Sequence, residues 1–314
     1  MKTTKPNDIE TYPLYGGKVV LEYRPKRHIY SVGKKGVYGV TGVTALLPQE
    51  WMANYQKKYI GEKFRDLLGG MRVEKIDDVS SFINNVWLRF EEAKSAPEEN
   101  SRAAAQLGTN VHGFVGGYLT HMMMPQIGGR GGVNKITANY IRSLAEYVYE
   151  FDPDDDVVEL LRGLEREGAV KIINTRTPKG VENCLSDFRQ FLATHEVEPI
   201  LIERKIFSQK NKFAGTADLV AEVDGKMTLV DWKTSKSLYP SYFVQASAYA
   251  EAINEELKVD KSLLPRPIEQ VMIVNLNKES RLDVQVKDKW AKEFKVFLAL
   301  LEVKDYLSKS KVKN

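Results

Sequence analysis

Asp218, Asp231 and Lys233 lie in the stretch GTADLVAEVDGKMTLVDWKTSKSLYPSYFVQASAY, whose spacing gathers two carboxylates and an ammonium. Two hydrophobic runs flank Asp224-Gly225, the dipeptide that most strongly signals a two-residue type I′ hairpin. If Val223 pairs with Lys226 across that turn, counting outward sets Asp218 directly opposite Asp231. Opposed strand residues have Cβ atoms roughly 5 Å apart, and like charges at that spacing repel. A hard divalent cation, held between carboxylates, water and phosphate oxygens, offsets the repulsion. Strand alternation puts Lys233 on the face of Asp231, about 7 Å further along. Magnesium or manganese at such a place, with the Trp232 carbonyl as a further oxygen ligand, would polarise a phosphodiester and lower the pKa of a bound water. Lys233 would orient that water or stabilise charge building on the phosphate. An ordinary hairpin carrying a salt-bridged charge cluster fits the same three residues.

Other elements must position this set. Pro240 suits the first turn of a helix, where its missing N–H costs nothing. Phe243, Ala246, Ala250, Ile253 and Leu257 then recur at gaps of three and four, the stripe of a helix laid on a sheet. Gln245 and Tyr249 fall one turn apart on the flank of that stripe, where they border a site without being core. Upstream, PILIERKIF reads as a strand, with Ile200, Ile202 and Ile206 alternating against Leu201, Glu203 and Phe207. On pattern alone Glu203 is a solvated strand glutamate. A helix is expected through AAAQLGTNVHGFVGGYLTHMMM, with Ala104, Leu107, Val111, Phe114, Val115 and Tyr118 on one face. Gly108, Gly113, Gly116 and Gly117 forfeit roughly 3 to 4 kcal/mol of helix propensity there, which close packing must offset. His112 sits on the flank of that face, and a lone histidine so placed is more often an edge residue than a ligand.

With Gly-Thr-Ala-Asp218, Asp231-Trp232-Lys233 and Gln245-x-x-x-Tyr249 in hand, the chain resembles the PD-(D/E)XK nuclease superfamily, in its RecB-like branch. Relatives of this kind include phage exonucleases and the mitochondrial genome maintenance exonuclease. No proline precedes the first aspartate here; the glycine-led form is frequent in the branch. Gly108-Thr109-Asn110-Val111-His112 matches the branch's Gly-Thr-x-x-His helix, which implies that His112 joins Asp218, Asp231 and the Trp232 carbonyl at the metal. The resemblance also makes Glu203 a secondary candidate, gives Gln245 the task of orienting Lys233 or the water, and gives Tyr249 a contact with the nucleic-acid backbone. His28, Tyr30 and Gly42-Val43-Thr44 echo a motif near the start of such relatives, with glycine where they carry serine.

The implied fold is α/β: a restriction-endonuclease-like core, a central mixed sheet flanked by helices in the order αβββαβ. The expected domains are an N-terminal strand and helix elaboration over 1–100, a core over 101–309 with a helical insertion at about 121–197, and a basic tail at 310–314. Residues 10–47 read as short strands and turns, 49–68, 78–95, 134–150, 156–167 and 181–194 as helices, and QIGGRGGVNK as a glycine-rich loop without a P-loop ending. QVMIVNLN and RLDVQVK read as two more strands before a closing helix over 288–307.

Composition is permissive. A net charge of +4 and a pI near 8.8 allow a nucleic-acid partner without arguing for one. No apolar run approaches the ~18 to 20 residues of a membrane span, and the first residues lack a secretory or transit signal. A soluble protein of the cytoplasm, or of the host cytoplasm for a phage product, is expected. The single cysteine, Cys184, excludes an internal disulfide and the four-cysteine iron-sulfur staple of some relatives. The expected activity is a magnesium- or manganese-dependent DNA exonuclease acting on single strands or ends in replication, recombination or repair. A structure- or sequence-specific endonuclease and a non-catalytic DNA-end-binding module on the same fold remain open.

Overall fold

The computed structural model describes residues 9–47, 50–70, 79–123, 180–279 and 281–310. The helices expected over 134–150 and 156–167, the glycine-rich loop, most of the insertion and the tail from 311 lie outside the described residues. Contacts divide the chain into two compact units, one made of the residues up to Leu47 and from Asn110 on, the other of Pro48–Thr109.

The smaller unit pairs helices α2 (Glu50–Gly69) and α3 (Val79–Ala93), with the Phe64 and Phe90 rings edge to face at 5.5 Å. Before it, β1 (Glu10–Leu14), β2 (Val19–Arg24), β3 (Ile29–Val32) and β4 (Lys35–Gly39) form an antiparallel meander. β4 runs directly into a short helix, α1 (Val40–Thr44). A helix was not expected from these glycines and β-branched residues; burial of Val40 and Val43 in the main core overrides their weak propensity.

Helix α4 (Ala96–Met123) begins in the smaller unit and continues in the larger one from Asn110. Val111, Val115 and Leu119 are buried along it, while Ala104, expected on the same face, is exposed. Beyond come α5 (Val181–Thr194), β5 (Val197–Ser208), β6 (Phe213–Val223), β7 (Lys226–Lys233), α6 (Pro240–Val259), β8 (Gln270–Asn275), β9 (Asp283–Lys287) and α7 (Ala291–Lys309). The fold is mixed α/β, a central sheet flanked by helices, with the expected αβββαβ order from α5 through β8.

Asp224 and Gly225 both take left-handed backbone, at φ 51° and 78°, as a type I′ turn requires. The ladder then runs from Val223–Lys226 to Leu219–Val230, the register counted from the sequence. β5 pairs antiparallel with the other edge of β6, β8 runs parallel to β7, and β9 antiparallel to β8. β4 joins the start of β6 in parallel, with Tyr38 opposite Phe213 and Gly39 opposite Ala214. One edge of β6 thus takes β4 at its start and β7 at its end, and residues 215–218 lie between the two ladders. α6 and α7 cover one face through Phe243, Ala246, Ile253 and Phe297, against Met227, Leu229, Val271 and Ile273. Trp232, of opposite parity, packs against Phe188 and Phe191 of α5.

Candidate active site

The gap in the ladder is where the carboxylates gather. Ala217 and Val220 pack into the same core cluster although three residues apart, so β6 switches faces between them. β5 does the same between Leu201 and Ile206. The switch in β5 is marked by Glu203, which has left-handed backbone at φ 48°. Its ladder neighbours pair Ile202 with Leu219 and Arg204 with Ala217, which sets Glu203 at the level of Asp218. A non-glycine residue in that conformation stores strain of about 1 kcal/mol. Such irregularities re-aim a side chain next to functional sites.

The ladder between β6 and β7 stops one step short of Asp218 and Asp231. In its place the Trp232 N–H donates to Asp218 Oδ2 at 2.9 Å. In an extended strand the N–H and C=O of one residue project from the same edge, so the Trp232 carbonyl faces the same gap. On the other side of Asp218, His112 Nδ1 of α4 lies 3.6 Å from Oδ1. His112, Glu203 and Asp218 each offer a ligand atom, and the three atoms lie within 4.8 Å of one another.

Asp231 stands at the next level of the same register, beside Asp218, and its carboxylate is paired with Lys233. Its Oδ2 lies 2.5 Å from Lys233 Nζ, a close ion pair. The side chains are 2% and 16% exposed, so this is a nearly dry ion pair. Lys233 Nζ also donates to Gln245 Oε1 at 3.3 Å and stands 5.0 Å from the centre of the Tyr242 ring. Gln245 Nε2 donates to the Tyr249 hydroxyl at 2.8 Å, which is hydrogen-bonded to Thr41 of α1 as well.

Tyr249 corrects the reading of its helix flank: it is core, 3% exposed, and presents no surface for a nucleic-acid backbone. The reason is Gly215. A Cβ on Gly215 would lie 2.6 Å from Tyr249 Cε1, so the bare backbone of β6 is what admits the ring. Tyr249 accordingly positions Gln245, and through it Lys233. Tyr242 was missed from the sequence, though it precedes Gln245 by three residues on the same helix flank, a spacing that signals contact. His28 and Tyr30, from the early motif, bond to Tyr23 and Thr216, and Thr44 Oγ1 donates to the Thr41 carbonyl.

Electrostatics follow from burial and proximity. Burial would lower the His112 imidazole, but the Asp218 carboxylate, with Glu203 behind it, lifts it to about 9. Burial works against the Asp218 charge too, yet the facing His112 holds its carboxyl below the usual range. Asp231 is pushed up to about 6 by burial, against the pull of Lys233 and with the Asp218 charge adding to the rise. For Lys233 burial is outweighed by Asp231 and Asp218, and the ammonium stays protonated.

The residues fit a hard cation: carboxylate and imidazole donors of His112, Glu203 and Asp218 converge, and a strand carbonyl faces the gap. No family model matches the chain, and comparison with curated proteins finds no match. Among solved structures it is similar to an alkaline exonuclease from Laribacter hongkongensis, with 11% identity over 60% of this chain and 89% of that chain and a TM-score of 0.21. No helix among the described residues is long and apolar enough to cross a membrane.

Proposed function

We propose that the protein is a metal-dependent deoxyribonuclease that hydrolyses phosphodiester bonds, acting as an exonuclease on single strands or ends. The observation that carries this reading is the convergence of His112, Glu203 and Asp218 beside the buried Asp231–Lys233 pair. His112, Glu203, Asp218 and Asp231 would hold magnesium or manganese, with the Trp232 carbonyl turned to the same gap. The ion, when bound, supplies Lewis-acid polarisation of the phosphate and a water of lowered pKa.

The chain's own residues do the rest. Lys233, held protonated by Asp231 and steadied by Gln245, presents a fixed positive charge to the phosphate as charge builds in the transition state. Tyr249, itself hydrogen-bonded to Thr41, locks Gln245, so the ammonium is placed before substrate arrives. Low exposure at Asp231 and Lys233 limits solvent screening, so the charges act at greater strength than they would in water.

A labelled single-stranded oligonucleotide should be degraded with manganese and left intact in a chelator, and Asp218→Asn should be inactive while melting as a folded protein. Cleavage that persists in chelator removes the metal from the reading.

A further inference from the structure

The turn between β2 and β3 carries Arg24, Lys26, Arg27 and His28 in five consecutive residues, and Lys26, Arg27 and His28 are exposed. β3 is antiparallel to β4, and β4 runs parallel to β6 with Gly39 opposite Ala214. The basic turn is therefore at the end of the meander toward which β6 runs, and Asp218 is four residues beyond Ala214, about 13 Å along the strand.

A rigid face joins the two places. The His28 ring is held through Nδ1 by the Tyr23 hydroxyl at 2.9 Å, at a residue whose own backbone is left-handed (φ 49°). Tyr23 stacks on Tyr30 at 4.8 Å between centroids. The Tyr30 ring crosses Gly39, where a Cβ would lie 3.5 Å from its edge, and its hydroxyl reaches Thr216 Oγ1 at 3.1 Å. Thr216 is two residues from Asp218 and faces Lys205 across the ladder. Lys205 Nζ stands 5.0 Å from the Tyr23 ring centre and 5.6 Å from that of Tyr12. Exposed cations at the rim, joined to the carboxylate cluster by this rigid face, match a polyanion whose next phosphate must enter that cluster.

We propose that the Arg24–His28 turn is a contact for the phosphate backbone of the DNA strand whose scissile bond lies at the carboxylates. This rests on the nuclease reading for the identity of the strand, but its test does not need turnover. Binding of a fluorescein-labelled single-stranded oligonucleotide to the full-length chain is measured by anisotropy in EDTA over a range of salt. Lys26→Glu/Arg27→Glu should weaken binding about tenfold and reduce the log-log salt slope by roughly 1.4, the counterion release of two phosphates. Lys34→Glu/Lys35→Glu makes the same charge change at the opposite end of the meander, in the β3–β4 turn and the first residue of β4, and should bind as the wild type does. Equal weakening in both double variants, unchanged binding in both, or no binding by the wild-type protein overturns the proposal. A labelled duplex in parallel reports whether the contact prefers one strand or two. Wild-type protein that binds through this turn but never cleaves with metal overturns the nuclease reading and leaves the contact standing.

Discussion

Asp218 Oδ2 accepts the Trp232 backbone N–H at 2.9 Å, at the step where the β6–β7 ladder would otherwise continue. One carboxylate oxygen thus replaces a strand hydrogen bond, and the other faces His112. The bond ties a catalytic candidate to the main chain of the neighbouring strand and keeps the two strands apart where the site opens. Asp218→Asn should retain the fold, because the amide oxygen can still accept that N–H. Asp218→Ala leaves the N–H without its acceptor and should cost about 1 to 3 kcal/mol in a denaturant melt, while both variants lose metal binding. Equal stability of the two would show that the bond contributes nothing.

Glu203 is predicted to trade function against strain. Glycine adopts left-handed backbone without penalty, so Glu203→Gly should change unfolding stability by less than about 1 kcal/mol. The same variant should weaken manganese binding at least about tenfold, the loss expected when one donor of a site is removed. Full metal affinity in Glu203→Gly would take this residue out of the site.

Gly215→Ala should destabilise the protein by about 1 to 3 kcal/mol, since the added methyl meets the Tyr249 ring at 2.6 Å. In the double variant Gly215→Ala/Tyr249→Ala the clash with the ring is gone and only the 3.3 Å approach to Val40 remains, so the two effects on stability should be non-additive. Turnover should fall in both of these variants and in Tyr249→Ala alone, because each disturbs the hold of Gln245 on Lys233. Strict additivity in the melts would mean that the methyl is absorbed elsewhere.

The His112 imidazole, raised from 6.5 to about 9, gives a pH dependence of known sign. A raised folded pKa contributes stability that is present in full below 6.5 and is lost as pH climbs through about 9. Metal-free protein should therefore melt lower at pH 9 than at pH 6.5, and His112→Gln should flatten that component. Only the neutral ring ligates a metal, so manganese affinity should rise across the same window with release of a proton. Calorimetry in two buffers of different ionisation enthalpy measures that release; pH-independent affinity without it would exclude His112 as a ligand.

Much of this was legible in the sequence because local rules and tertiary structure agree along the hairpin. Asp224-Gly225 fixes turn and register together, and alternation from Met227 carries Asp231 and Lys233 to the face of α6. What escaped were the places where alternation breaks. Nothing in PILIERKIF announces that Glu203 flips its backbone, because the flip belongs to two strands that change faces together. Tyr249 read as a flank residue because helical periodicity counts side chains on the helix and cannot count a missing one on the strand opposite, Gly215. α1 escaped for a related reason: Val40 and Val43 are helical through what they bury against, not through propensity.

If the residues of this site hold a metal for phosphodiester hydrolysis, DNA cleavage must need both the ion and Asp231. The most direct test is cleavage of 5′- and 3′-labelled single-stranded, duplex and circular DNA with magnesium, with manganese and with EDTA, by wild-type protein and Asp231→Ala. Linear DNA should be degraded only with metal, circles should be spared, and the folded variant should lose about two to three orders of magnitude in rate. Undiminished metal-dependent cleavage by Asp231→Ala, or intact DNA with wild-type protein under every metal condition, would contradict the nuclease reading.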